Sequence, residues 1–373
     1  MKIAIEASLA SASCPTGLGI YVDKLLQEFA KGDYTASGTT FYLLHHQKVW
    51  HGKDYGKNFH PVSYHFSPSQ FLAISFRLNK VLEDLKADLF HATGTTGVPH
   101  SIKIPAVTTV HDLFPLTLPG SSLKKRILTK ILFSWVLKGS KEIISNSEFT
   151  RSELFRFGVK GFEPKVIYLD SSLDFPERAA STELPLLGEP LEKGFFLCVG
   201  AMEERKGQLR LCREYLNALK EDPTLPQLVF AGPDRGDCSR LRSLAQEEPK
   251  IRILDYIQPS HLHILYQNAG FFCFPSLAEG FGIPVVEAMK AGIPVLASDI
   301  PVLREIAGGA ASFVPLEEGA FAKALLECRK NEGKNLPDRE KVMEYALRFS
   351  WKENAEKTWA IYKNLLNNGK KNP

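Results

Sequence analysis

From Ser276 to Asp299 the chain reads SLAEGFGIPVVEAMKAGIPVLASD. The short apolar run Phe271–Phe274 before it suits a buried strand. A loop of Glu279, Gly280, Phe281 and Gly282 follows. Pro284 fits the first turn of a helix through Ala291, where its missing N–H is not needed. Pro294–Ala297 reads as the next strand, so the segment forms one parallel βαβ unit. Gly280 and Gly282 let a backbone approach a ligand closely. The free N–H groups at the helix start favour an anion. Glu287 stands about one turn into the helix, and Glu279 precedes it by eight positions. Two carboxylates flanking an anion site suit a phosphate-bearing sugar, one gripping a ribose and the other a transferred sugar. Taken alone, solvated or capping carboxylates are the plainer reading.

Outward from this block the alternation continues. Strand Phe195–Val199, helix Gln208–Lys220, strand Gln227–Ala231, helix Arg240–Gln246, strand Ile251–Leu254 and helix Leu262–Asn268 precede it. In VGAMEERKGQLRL, Val199 to Leu211, a strand ends at Gly200 and a loop presents Arg205 and Lys206. Open α/β sheets bind ligands at strand carboxyl ends. There Arg could hold a diphosphate as a fork and Lys as a point charge. By themselves the two are a solvated loop pair. Tyr256 and Ile257, after Ile251–Leu254, are candidates for a base pocket.

The first half repeats the pattern. Strand Lys2–Ala7 leads through a small-residue loop, Ser8–Gly19, to a helix, Ile20–Ala30, with Tyr21, Leu25, Leu26 and Phe29 on one face. Further strands are Phe41–Leu44, Leu89–His91, Ala106–Val110, Glu142–Ser145 and Lys165–Leu169. His111 and Asp112 follow a strand, where packing and function are equally good explanations of a histidine. Asp170–Lys193, with Pro176, Pro185 and Pro190, reads as an interdomain linker. The tail after Trp351 reads as a helix with Trp359, Tyr362 and Leu365 on one face. The fold expected is α/β, two Rossmann-like domains facing a cleft.

Composition agrees. The 373 residues imply two or three domains at about 150 each. Hydrophobic content of 44% and charged content of 24% exclude a disordered chain, a collagen-like fibre and a coiled-coil rod. A net charge of +4 argues against a dedicated nucleic-acid binder. No uncharged apolar run approaches the roughly 18–20 residues of a membrane span, and Glu6 interrupts the apolar start that a signal peptide would need. The six cysteines, Cys14, Cys198, Cys212, Cys238, Cys273 and Cys328, form no Cys-x-x-Cys pair. A cytoplasmic protein without structural zinc is expected. There is no P-loop, no complete G-x-G-x-x-G and no G-x-S-x-G. No Asp-x-Asp occurs, so a metal-held diphosphate is not expected.

In combination these segments resemble the retaining glycosyltransferases of family four, which have the two-domain GT-B fold. The matching elements are TGLGIY at Thr16–Tyr21, VHDLFPL at Val110–Leu116, SNSEFTRSEL at Ser145–Leu154, VGAMEERKG at Val199–Gly207, Ala231-Gly232, and the Glu-x₇-Glu block at Glu279–Glu287. They span about residues 1–350. The resemblance implies an acceptor domain at 1–175, a nucleotide-sugar domain at 176–350, and a helix and tail at 351–373 crossing back to the first domain. Arg205 and Lys206 would hold the donor diphosphate, Glu287 the ribose, and Glu279 the transferred sugar. The backbone of Gly280, Phe281, Gly282 and Ile283 would contact sugar and phosphate, with Gly200 nearby. Gly17 and Gly19 match a glycine loop closing over the diphosphate, and His111 a histidine near the anomeric centre. Ile20 stands where the family often has Arg, a departure at the loop tied to acceptor recognition. No cofactor or metal is implied beyond the nucleotide-sugar co-substrate.

The implied reaction moves a sugar, with retention, from a nucleotide diphosphate to a hydroxyl of a glycan or lipid-linked acceptor. GDP-mannose is favoured over a UDP-sugar because VHDLFPL and SEFTRSEL look like those of mannosyltransferases that build polysaccharides. Rival readings are a catalytically silent GT-B binding module and a nucleotide-sugar epimerase of the same fold. The segment 123–140 mixes Lys124, Lys125, Arg126, Lys130 and Lys138 with apolar residues spread nearly all round the helix. It is expected to be mostly buried, with a basic start that could meet anionic lipid at the inner membrane face.

Overall fold

The computed structural model describes residues 1–11, 17–35, 38–64, 71–95, 102–117, 123–158, 161–175, 191–246, 248–330 and 337–369. It divides into two compact units, Met1–Leu169 with Ser350–Pro373, and Asp170–Phe349.

The first unit is built on β1 (Lys2–Glu6), β2 (Thr40–His45), β3 (Phe59–Ser63), β4 (Leu89–Ala92), β5 (Ala106–Val110), β6 (Glu142–Ser145) and β7 (Lys165–Val166). They form one sheet in the order β3-β2-β1-β4-β5-β6-β7. The second unit holds β8 (Phe196–Val199), β9 (Leu228–Ala231), β10 (Ile251–Leu254), β11 (Phe271–Phe274), β12 (Val295–Ser298) and β13 (Ala311–Val314), ordered β10-β9-β8-β11-β12-β13. Every strand pairing is parallel. The cause is visible in the sequence. Strands such as LFHA, AVTTV, FLCV and LVFA are buried at every position, as central strands covered on both faces must be.

Some expectations need correction. Gly17 and Gly19 are not in a loop: the first helix runs Gly17–Lys31, and Ser8–Ser11 is a short 3₁₀ turn. Thr16 and Cys14 lie outside the described residues. The edge strands β3 and β13 escaped the sequence reading. In β3 (FHPVS) most residues keep contact with solvent and Pro61 interrupts the apolar pattern, which an edge strand tolerates. The stretch read as a linker from Asp170 begins inside the second unit. Asp170, Ser171 and Leu173 are buried, and Asp170 forms an ion pair with Lys290. Residues 176–190 of that stretch lie outside the described residues.

The final helix, Trp351–Gly369, belongs to the first unit. Trp359 packs edge-on against Phe29, ring centroids 5.9 Å apart. The Tyr362 hydroxyl meets His91 Nδ1 at 2.5 Å, and His91 Nε2 lies 2.8 Å from the Thr109 hydroxyl. Cys198, Cys212, Cys238, Cys273 and Cys328 are free and buried. Burial pushes the Cys198 thiol up to about 12, so it behaves as a small hydrophobe.

Candidate active site

The chain of the second unit lays down β8, moves out to β9 and β10, then returns with β11 on the other side of β8. Strand order reverses there, which is where open parallel sheets bind ligands, outside the strand carboxyl ends. The loops at that point are Gly200–Gly207 and Pro275–Gly282. They are tied to each other. Leu277 N–H donates to the Arg205 carbonyl at 2.8 Å, and Arg205 Nη1 donates to the Ala278 carbonyl at 2.7 Å. At the crossing Gly207 has φ +71°, and a Cβ there would sit 2.3 Å from the Pro275 carbonyl oxygen. Only glycine fits.

This crossing brings Arg205, Lys206 and Glu279 together. Lys206 Nζ lies 2.6 Å from Glu279 Oε1, and Arg205 Nη1 lies 3.3 Å from Oε2. The Ser276 hydroxyl also donates to Oε1, at 2.6 Å. Glu279 is buried. Burial alone would raise its carboxyl. Lys206 and Arg205, with hydrogen bonds from Lys206 and Ser276, outweigh that and hold it below the usual carboxylate range. Arg205 Nη2 additionally donates to Glu203 Oε1 at 2.5 Å. Two cations therefore share the loop with two carboxylates. Lys206, beside Gly200 and over the Phe274 ring at 5.4 Å, has three donors and is the more adaptable cation. Because Lys206 is bonded to a buried carboxylate, losing it carries a folding cost.

Next comes the helix Ile283–Ala291, with Pro284 in its first turn. Gly282 caps it at φ +103° and no side chain accepts from its first N–H groups. Phe281 and Ile283 are buried, Phe281 against Phe349 with centroids 5.7 Å apart. A ligand would therefore meet this stretch through its backbone. Glu287 is only 3% exposed and has its own hydrogen bonds. Tyr266 OH donates to Oε2 at 2.7 Å, and Ser172 N–H and hydroxyl both donate to Oε1. Burial and the Glu287 charge raise Tyr266 well above the ordinary phenol value, so it keeps its proton and donates. Tyr256 and Ile257 sit partly exposed in the loop after β10, at the same end of the sheet. Among the described residues no three His, Cys, Asp or Glu side chains cluster as metal ligands.

In the first unit His111 follows β5 and is 8% exposed. Its Nε2 lies 2.9 Å from the Thr93 carbonyl, which can only accept, so Nε2 carries the proton. Tyr21 packs edge-on against it at 4.8 Å. Burial lowers His111 to about 4, so it is neutral at physiological pH.

The sequence reading named Lys206, Glu279 and Glu287 as candidates but missed what holds them. Ser276 stands three residues before Glu279, a spacing that could have been noticed. Ser172 lies 115 residues from Glu287 and Tyr266 lies 21 away, and no local pattern links them.

Comparison with known proteins adds three findings. Residues 15–169 match the model described as Glycosyltransferase Family 4, and residues 193–331 the model described as Glycosyl transferases group 1. An O-antigen chain mannosyltransferase B of Escherichia coli is 30% identical over 293 residues, 76% of each chain. Among solved structures, sucrose-phosphate synthase from Thermosynechococcus elongatus aligns with a TM-score of 0.78 at 21% identity, covering 98% of this chain and 99% of that one. Anabaena HepE, solved with UDP and glucose, aligns with a TM-score of 0.75 at 18% identity, covering 98% and 100%. These two show the shared fold.

Proposed function

The chain belongs to the family-four, group 1 glycosyltransferases, and on that premise we propose that it is a retaining hexosyltransferase acting without a metal. The donor is GDP-mannose, with a UDP-sugar the second candidate. The acceptor is a hydroxyl of a glycan or lipid-linked sugar in polysaccharide assembly. The observation carrying this is the cluster of Arg205, Lys206 and Glu279 where strand order reverses in the second unit, beside the uncapped start of the helix Ile283–Ala291. Lys206 and that helix start offer positive charge to the leaving diphosphate. Preorganised groups of this kind contribute about 3–4 kcal/mol each. The mannosyl donor is supported by the 30% identical mannosyltransferase.

Retention follows from attack on the face the leaving group departs, with a diphosphate oxygen accepting the acceptor's proton. That scheme asks for no protein base, and two features fit it. His111, lowered to about 4 by burial, is a weak base, and its Nε2 proton is engaged with a carbonyl. Glu279 faces a cation on each oxygen, which blunts it as the nucleophile a double displacement would need. Glu279 instead orients sugar hydroxyls, and Glu287 accepts from the ribose.

The place of action is the cytoplasm, at the inner membrane face. The helix Leu123–Gly139 buries Phe133, Val136 and Leu137 while Ile127 and Ile131 are 53% and 45% exposed, with Lys130 and Lys138 exposed beside them. That face suits a weak contact with anionic lipid. No helix among the described residues is long and apolar enough to cross a membrane.

A thermal-shift screen of GDP-, UDP- and ADP-sugars tests the donor. A ligand at 100 times its Kd adds about 2.7 kcal/mol. Turnover is then followed with and without EDTA. Release of nucleotide diphosphate only when acceptor is added supports transfer. Release without acceptor points to another reaction, and no turnover to a silent binding module. Loss of activity in EDTA, restored by Mg²⁺, ends the metal-independent account. Flotation on anionic but not neutral vesicles supports the membrane contact, and equal binding to both refutes it.

A further inference from the structure

The first unit reverses its strand order too. Its chain lays down β1, moves out to β2 and β3, and returns with β4 on the other side of β1. The residues at the carboxyl ends there are Glu6, which closes β1, and Thr93, which follows β4. His111 follows the adjacent strand, β5. The three are linked. The Thr93 hydroxyl donates to the Glu6 carbonyl at 2.7 Å, and His111 Nε2 donates to the Thr93 carbonyl at 2.9 Å. Glu6 Oε1 accepts Ser8 N–H at 3.2 Å, and the hydroxyls of Ser8, Thr93 and Tyr64 surround the carboxyl.

Two features make Glu6 a candidate for contact with a ligand. Among the described residues it forms no ion pair with Lys or Arg, whereas buried Glu279 and Glu214 each do. It also keeps part of its surface in solvent, at the point of the sheet where ligands bind. A carboxylate ringed by hydroxyls and, among the described residues, without a cation disfavours a phosphate and favours a neutral polyol. Burial pushes the Glu6 carboxyl up, while hydrogen bonds from Ser8, Thr93 and Tyr64 pull it down.

We infer that Glu6 binds a hydroxyl of the acceptor sugar, with Ser8 and Tyr64 fixing the direction of its carboxyl. This rests on the transferase reading above, and gives the acceptor side a recognition residue outside the segments that carry the resemblance.

The test uses the full chain, Glu6→Gln and Glu6→Ala. Octyl α-mannoside, octyl α-glucoside and octyl N-acetylglucosaminide serve as acceptor probes, with the donor chosen by thermal shift. Acceptor KM should rise at least tenfold in both variants. The melting shift given by the nucleotide and the donor KM should stay within twofold of wild type. A monodeoxy acceptor lacking the recognised hydroxyl should lose at least tenfold in wild type and almost nothing in Glu6→Gln. An acceptor KM within twofold of wild type in both variants overturns the assignment. Equal losses for donor and acceptor, or failure of both variants to fold, show a structural role and overturn it as well. Should the wild type shift with nucleotide yet transfer to no glycoside, the transferase reading falls and takes the assignment with it. Transfer by wild type and variant alike removes only the assignment.

Discussion

At the carboxyl ends of β8 and β11 the protein places Arg205, Lys206 and Glu279 within ion-pair distance. At the carboxyl ends of β1 and β4 it places Glu6 and Thr93 among hydroxyls, with neutral His111 alongside. The two sheets share one winding scheme, stepping out to one side of the first strand and returning on the other. The scaffold therefore does not dictate what each sheet recognises. The loops do, and among the described residues their charge differs: ionic where a diphosphate would be held, with neutral histidines and no ion pair at Glu6 where a sugar hydroxyl would be.

The largest test of that contrast removes the ionic partner. Lys206→Ala should lower turnover at least 100-fold, since it takes away charge preorganised for the leaving group. It should also lower stability, because truncating one partner of a buried pair costs about 3–5 kcal/mol when nothing replaces it. Arg205 and Ser276 still reach Glu279, which places the loss at or below the lower end. Lys206→Met combined with Glu279→Gln should recover the melting temperature without recovering turnover. If the double variant recovers turnover as well, the ionic cluster is structural and the contrast between the two sites fails.

A second test uses pH. His91 is lowered to about 3 and His111 to about 4, both by burial, from an ordinary value of 6.5. Below 6.5 the unfolded chain binds protons that the folded chain refuses. Their stabilisation is thus complete above 6.5 and is lost as pH falls toward 4 and 3, at roughly 2 kcal/mol each by pH 5. Glu6, raised in the folded state, works the other way. Its contribution is complete below 4.5 and is lost as pH rises through its folded value. Glu279, lowered in the folded state, keeps its contribution until pH falls below 4.5. Hydrogen exchange at pH 7 and pH 5, corrected for intrinsic rates, should show β4 and β5 opening more easily at pH 5 while β8 and β11 hold. Glu6→Gln, lacking the opposing contribution, should steepen the loss in the first unit. Equal opening of both sheets would erase the distinction.

How much of this the sequence discloses follows from the same physics. Central strands such as Phe196–Val199 and Leu228–Ala231 are legible because burial on both faces forces an unbroken apolar run. The edge strands β3 and β13 are not, since solvent relaxes that demand, although the edge strand β10 is. The site residues from Gly200 to Glu287 are legible because glycine, proline and charge recur at loop-to-helix junctions. Their pairing is not: Lys206 and Glu279 are 73 residues apart and meet only because two loops cross at Gly207. Glu6 stayed hidden for a different reason. A single carboxylate at the end of a first strand looks like an interruption of an apolar segment until its place in the sheet order is known.

The smallest effect sharpens the ionic side by testing how one of its carboxylates is aimed. Glu287 accepts from Tyr266 OH at 2.7 Å and from Ser172. Tyr266→Phe removes one hydroxyl and leaves the ring, which packs at a tilt against Phe272 with centroids 5.5 Å apart. A lost hydrogen bond to a charged group costs about 1.5–3 kcal/mol, but here the result is a Glu287 less firmly aimed, not absent. Part of that figure should fall on folding and the remainder, about 1 kcal/mol, on ligand binding, a fivefold weaker nucleotide. The signature is selectivity. Wild type should prefer a ribonucleotide diphosphate over its 2′-deoxy or 3′-deoxy form, and Tyr266→Phe should narrow that preference while kcat stays within twofold. Ser172→Ala should narrow it too, since its hydroxyl binds the other oxygen of the same carboxylate. An unchanged ribose preference in both variants would mean that Glu287 is aimed by its helix alone, and that Tyr266 and Ser172 serve only the fold.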